Sequence, residues 1–216
     1  MPFGSQKRTL ILPLVLVAGV IVLLAFGSAR GALVTVEITG RVTEVNDPGG
    51  VLAGQINIYD IFTGIYRYDS GIPDSNPSVS VGDYWYDTWP FGISLNIGGL
   101  PFASDPQNVD FLIEINNGPT DSYLLASDNN LPLSGAAVGQ ILWQIEYNTD
   151  TIFTSDGLPL TAPVLDGWTS NLLRIDGGAM HIRAEIIGAE IVPEPASLML
   201  LGLGAALIAS RCRHVG

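Results

Sequence analysis

Apolar and polar residues alternate with a period of two along much of the middle of the chain. The clearest runs are Val34-Thr-Val-Glu-Ile38, Ile56-Asn-Ile58, Ile93-Ser-Leu-Asn-Ile97, Val109-Asp-Phe-Leu-Ile-Glu-Ile115 and Met180-His-Ile-Arg-Ala-Glu-Ile186. Successive side chains of a strand point to opposite faces, so each run offers one apolar face and one wet face. Reversal signals separate the runs: Asp47-Pro-Gly-Gly50, Gly98-Gly99, Asn116-Asn-Gly-Pro119, Asp128-Asn-Asn130, Asp156-Gly157 and Asp176-Gly-Gly178. Residues 33–193 contain no uninterrupted amphipathic stripe of helical period. About nine to eleven short strands around one core predict an all-β fold, an antiparallel β-sandwich for which a jelly roll is one arrangement.

The alternation stops at both ends. Lys7 and Arg8 precede 17 uncharged residues, 10–26, and then the small-residue run Gly27-Ser-Ala-Arg-Gly-Ala32. This is the plan of a secretory signal peptide, cleaved after Gly31 or Ala29. As a helix the 17 residues would reach about 26 Å, close to a bilayer core, so an uncleaved anchor is the competing reading. At the other end Pro193-Glu194-Pro195 precedes 15 apolar and small residues, 196–210, and the basic pair Arg211 and Arg213. Two prolines fix φ and withhold amide donors, which keeps the segment before the apolar run extended. The run itself is a short transmembrane helix, with the two arginines holding its far end in the cytoplasm. The predicted organisation is a signal peptide over 1–31, an acidic β-sandwich body over 32–192 and a C-terminal sorting segment over 193–216.

Val192-Pro193-Glu194-Pro195, an apolar helix and a basic end, in that order behind a signal peptide, strongly resemble the PEP-CTERM sorting signal of bacterial proteins. The resemblance implies a Gram-negative-type envelope, with signal peptidase and the membrane-embedded protease exosortase as processing partners. It further implies a membrane-anchored precursor, a final place at the cell surface or outside the cell, and association with exopolysaccharide or biofilm. The opening of the body also looks like a recurrent block of uncharacterised PEP-CTERM proteins. That block runs from Thr35-Val-Glu-Ile38 through Phe62-Thr-Gly64 and Tyr66-Arg-Tyr-Asp-Ser70 to Pro73-Asp-Ser75, and it implies no catalytic residue.

Charge and cysteine narrow the chemistry. Residues 33–192 hold twenty acids against Arg41, Arg67, Arg174 and Arg183, a net −16 with no lysine. Such a surface repels a polyanion, which excludes nucleic-acid binding. Cys212 is the only cysteine, so an intramolecular disulfide, a cysteine-rich zinc site and a thiol nucleophile in the body are all excluded.

Catalytic sets are sparse. His181 is the only histidine of the body, on the polar phase of the last alternating run, and no Gly-x-Ser-x-Gly elbow presents a serine to it. An exposed strand histidine is the expectation. A glycosidase would need two facing carboxylates, which sequence spacing cannot identify among so many acids. No cofactor is expected, although calcium is a candidate ligand of turn-borne oxygens, chiefly Asp128, Asn129 and Asn130; Asx capping of the turn itself is the competing explanation. Tyr84-Trp-Tyr86 and Trp89-Pro-Phe91 form the densest aromatic cluster, expected to pack into the core; exposure of Trp85 and Trp89 would instead suit stacking on sugar rings. The function expected is therefore a non-enzymatic structural protein of the cell surface or matrix. A carbohydrate-binding module is the alternative, and a polysaccharide hydrolase a more distant one.

Overall fold

A computed structural model describes residues 31–149 and 151–193. The expected signal helix, the C-terminal helix, and Lys7, Arg8, Glu194, Pro195, Arg211 and Arg213 lie outside the described residues. Among the described residues no helix is long and apolar enough to cross a membrane.

The described residues form ten strands: β1 (Leu33–Asn46), β2 (Ile61–Asp69), β3 (Val81–Tyr86), β4 (Gly92–Ile97), β5 (Leu100–Ala103), β6 (Phe111–Asn117), β7 (Asp121–Ser127), β8 (Gln140–Tyr147), β9 (Ser170–Gly177) and β10 (Met180–Ile191). All neighbours pair antiparallel, in the order β3-β6-β7-β8-β9-β10-β1-β2-β4-β5. The two separate sheets of a sandwich are therefore corrected to one continuous sheet. β9 and β10 join its halves, because their hairpin at Gly177 and Met180 pairs both strands in register.

The sheet curls until its halves face each other. β2 and β7 are far apart in strand order, yet the Tyr123 hydroxyl donates to the Tyr66 hydroxyl at 3.1 Å across the core. Trp143 of β8 stands edge-on to both rings, with centroids 6.2 Å from Tyr66 and 5.8 Å from Tyr123. Near closure also brings the end of β5 to the turn after β7: Leu131 N donates to Ala103 O and Asp105 N to Asn129 O, each at 2.9 Å. Curling of this kind buries the apolar phase of every strand in one core and covers an edge that would otherwise present free amides.

Local sequence explains the shape of the central strands. β1 carries irregularities at Thr39/Gly40 and Val42/Glu44 where it meets β10, and bulges increase bend and twist. Gly40 has no Cβ because the Phe62 ring occupies that space; a Cβ built there would sit 2.1 Å from Phe62 Cζ. The expected strand at Ile56-Asn-Ile58 is instead part of a chain reversal. Gly54 and Tyr59 both have positive φ, the Asp60 carboxylate caps the Asn57 amide, and only Ile56 of the pair is buried. The segment 151–169, leading into β9, is tied down by the fully buried Asp121, whose Oδ2 accepts from the amides of Ile152 and Phe153.

Candidate functional site

The five residues between β3 and β4 are fixed by what their neighbours bury. Tyr86 faces the core, and its ring lies 5.0 Å from that of Phe91, which pins both ends of the connection. Trp89 is left projecting outward, 68% exposed, beside the cis-linked Pro90. Trp85 is 47% exposed because the pleat of β3 turns it away from Tyr84 and Tyr86, which are both buried. The expectation that the aromatic cluster packs inward is thus corrected for the two tryptophans and holds for the two tyrosines.

Trp89 forms one wall of a surface cleft of about 270 Å³, together with Pro90 and Phe91. Pro106 and Leu131 from the following loops also line it, as do the strand residues Ile65, Arg67 and Ser94. Trp85 does not line it. Strand geometry puts the last three together: Ile65 pairs with Ser94, and Arg67 pairs with Gly92. Gly92 has φ 123°, and a Cβ there would lie 2.5 Å from Ser104 Oγ. Only glycine permits β4 to pass that close to Ser104.

The base of the cleft is stitched by hydroxyls. Ser104 Oγ accepts from Ile93 N at 3.0 Å and shares a 2.7 Å hydrogen bond with Ser127 Oγ, which donates to Asn130 Oδ1 at 2.9 Å. Arg67 and Ser94, by contrast, have no side-chain hydrogen bond among the described residues. The ion pairs found there involve Arg41, Arg174, His181 and Arg183 and leave Arg67 out. Of the residues that line the cleft, none is Asp or Glu. Arg67 escaped sequence reasoning, although a lone arginine between Tyr66 and Tyr68 on the polar phase of a strand was a usable signal.

The other expected sites are placed elsewhere. Asp128, Asn129 and Asn130 lie together after β7, where their oxygens serve the fold. Asp128 Oδ1 accepts from Gln140 Nε2 at 2.7 Å, the Asn129 carbonyl accepts from Asp105 N, and Asn130 Nδ2 donates to the Ser127 and Gly139 carbonyls. Among the described residues no three His, Cys, Asp or Glu side chains are grouped to hold a metal ion. His181 sits on the outer face of β10 with Nδ1 bonded to Asp176 Oδ1, while Nε2 accepts from Arg183 Nε at 2.9 Å. That second bond occupies the nitrogen a serine triad would use as base.

One carboxyl pair does approach across strands. Glu114 of β6 lies opposite Asp83 of β3, and burial, with Asp83 adding to it, raises the Glu114 carboxyl above its ordinary range. Asp83 is itself capped by Asn76 Nδ2. This pair lies outside the cleft.

Pro193 is exposed at the end of the described chain, two residues beyond β10. Val192 N donates to Thr35 O at 2.9 Å, so the sheet continues to the residue at which the sorting segment begins. Residues 192–213 match the PEP-CTERM protein-sorting motif. The motif marks a secreted protein sorted by exosortase from an exported, membrane-anchored precursor. No curated protein and no solved structure matches the chain.

Proposed function

We propose that this chain is a non-enzymatic structural protein of the cell surface or extracellular matrix, associated with exopolysaccharide and processed by exosortase near Pro193-Glu194-Pro195. The sorting motif directly after the last strand carries the reading, because it ties a self-contained β body to an export and trimming route. The make-up of the body supports a role without turnover: the cleft is lined by no acid, and the only described histidine has both ring nitrogens engaged. Replacing Pro193 and Pro195 together with Ala removes the rigid extended approach while keeping the apolar run. The expected result, by intact mass and membrane fractionation, is full-length protein retained in the membrane. Trimming and release at the normal rate would refute the sorting part, and failure of the released protein to co-fractionate with extracellular polysaccharide would refute the matrix part.

A second reading, a carbohydrate-binding module, is favoured by one observation: Trp89 is exposed beside a cleft instead of packed into the core. An indole face held open next to free polar groups suits stacking on a sugar ring.

A further inference from the structure

We propose that the Trp89 cleft binds a carboxylated sugar unit, a uronic acid residue of a polysaccharide, with the ring on Trp89 and the carboxylate on Arg67; this rests on the carbohydrate-binding reading. Three features of the cleft converge on that chemistry. At about 270 Å³ it lies at the small end of ligand pockets, enough for one sugar unit and too small for a bulky ligand. Trp89 leaves most of its indole in water, on a loop whose other aromatic residue, Phe91, is anchored against Tyr86. Arg67 is half-buried and has no ion pair among the described residues, in a body of net charge −16.

The last point decides between neutral and acidic sugars. With twenty acids available, a guanidinium without a carboxylate partner in the cleft keeps its planar donor fork for an incoming one. Ser94, which lines the same cleft and has no side-chain hydrogen bond among the described residues, offers a hydroxyl to the same ligand. The remaining surface of the body is acidic and opposes an anionic polymer, so any preference for the carboxylated form has to come from Arg67 in this cleft.

The test uses the full-length protein in mild detergent, with polygalacturonate and its fully methyl-esterified form as probes, in buffer containing EDTA. Calorimetric titration or affinity electrophoresis is expected to show binding to polygalacturonate at least tenfold tighter than to the ester. Arg67→Gln is expected to remove that preference while weak binding to the ester persists, and Trp89→Ala to weaken binding to both probes at least tenfold. Both side chains lie at the surface, and an unchanged melting temperature verifies that the variants are folded. Equal binding of both probes, untouched by Arg67→Gln, would overturn the uronate assignment and leave sugar binding standing. No binding of either probe would overturn both, and binding to polygalacturonate that appears only when calcium replaces EDTA would overturn the role of Arg67.

Discussion

Replacing Tyr66 and Tyr123 with phenylalanine, singly and together, tests whether the curled sheet is held shut by one hydroxyl pair. The two side chains are essentially inaccessible to solvent, their oxygens lie 3.1 Å apart, and each hydroxyl has only the other as partner. Tyr66→Phe leaves the Tyr123 donor with nothing to bond, and Tyr123→Phe isolates the Tyr66 hydroxyl in the same apolar setting. A buried polar group without a partner costs about 1–3 kcal/mol, beyond the roughly 1 kcal/mol net value of the bond itself. The double variant removes both polar groups while keeping the rings in contact with Trp143, so it should lie within about 0.5 kcal/mol of wild type. Two single effects of about 1–3 kcal/mol each, set against a double variant near zero, give a coupling energy of about 2–6 kcal/mol. Urea unfolding of the four proteins measures it, with each single variant moving the midpoint down by roughly 0.5–1.5 M for a slope of about 2 kcal/mol/M. Additive effects, with the double variant as weak as the sum of the singles, would refute contact between β2 and β7 and with it the curl of the sheet.

Four further outcomes are expected. Burial raises the phenols of Tyr66, Tyr68, Tyr86 and Tyr123 above the usual tyrosine range. Their stabilising effect is therefore intact below about pH 10, where unfolded tyrosine titrates, and is lost above it at up to about 1.4 kcal/mol per pH unit per group; in a Tyr59→Phe, Tyr147→Phe background, ionisation of these four phenols before the circular dichroism changes would contradict this. Glu114 has its carboxyl raised, chiefly by burial and next by Asp83, so its charged form is disfavoured in the fold and Glu114→Gln should stabilise at pH 7, by under about 1 kcal/mol at this half-exposed position. That gain should vanish as the pH falls below the unfolded carboxyl value near 4, and a destabilised variant at pH 7 would reverse the sign argued here. Asp121→Ala should cost about 3 kcal/mol in thermal or urea unfolding, because the Ile152 and Phe153 amides lose their shared acceptor; proteolysis within 151–169 should rise with it, and an unaltered cleavage pattern would count against that anchoring. Gly40→Ala should destabilise by about 1–3 kcal/mol through the clash with Phe62, and a companion Phe62→Leu change should recover part of it; a neutral Gly40→Ala would contradict the packing.

The alternating runs at Val34, Ile93, Val109 and Met180 read correctly as strands because an antiparallel sheet with one buried face imposes a period of two directly on the sequence. Ile56-Asn-Ile58 shows the limit of that rule: three residues carry too little pattern to outweigh the positive φ of Gly54 and Tyr59 on either side. Whether two five-stranded layers are separate or joined depends on the register between Gly177 and Met180, a pairing that leaves no periodic trace. Burial of the aromatic cluster followed the pleat for Tyr84 and Tyr86. The outward turn of Trp89 depends on Phe91 finding Tyr86, a contact between side chains and not a property of Trp89 itself. Arg67 was visible as one of four arginines, but its lack of a partner emerges only when the acids of the other strands have been placed.

The first and last strands lie side by side, with Val36 opposite Ile191 and the Val192 amide on Thr35. Antiparallel neighbours bring the start of one and the end of the other to the same end of the ladder. Tension between residues 32 and 193 would therefore strain the hydrogen bonds in succession, from Val192 inward, peeling the strands apart rather than shearing all their bonds at once. A chain held at both ends would load the body along this peeling direction, and a chain freed at its amino end can no longer be loaded in that way.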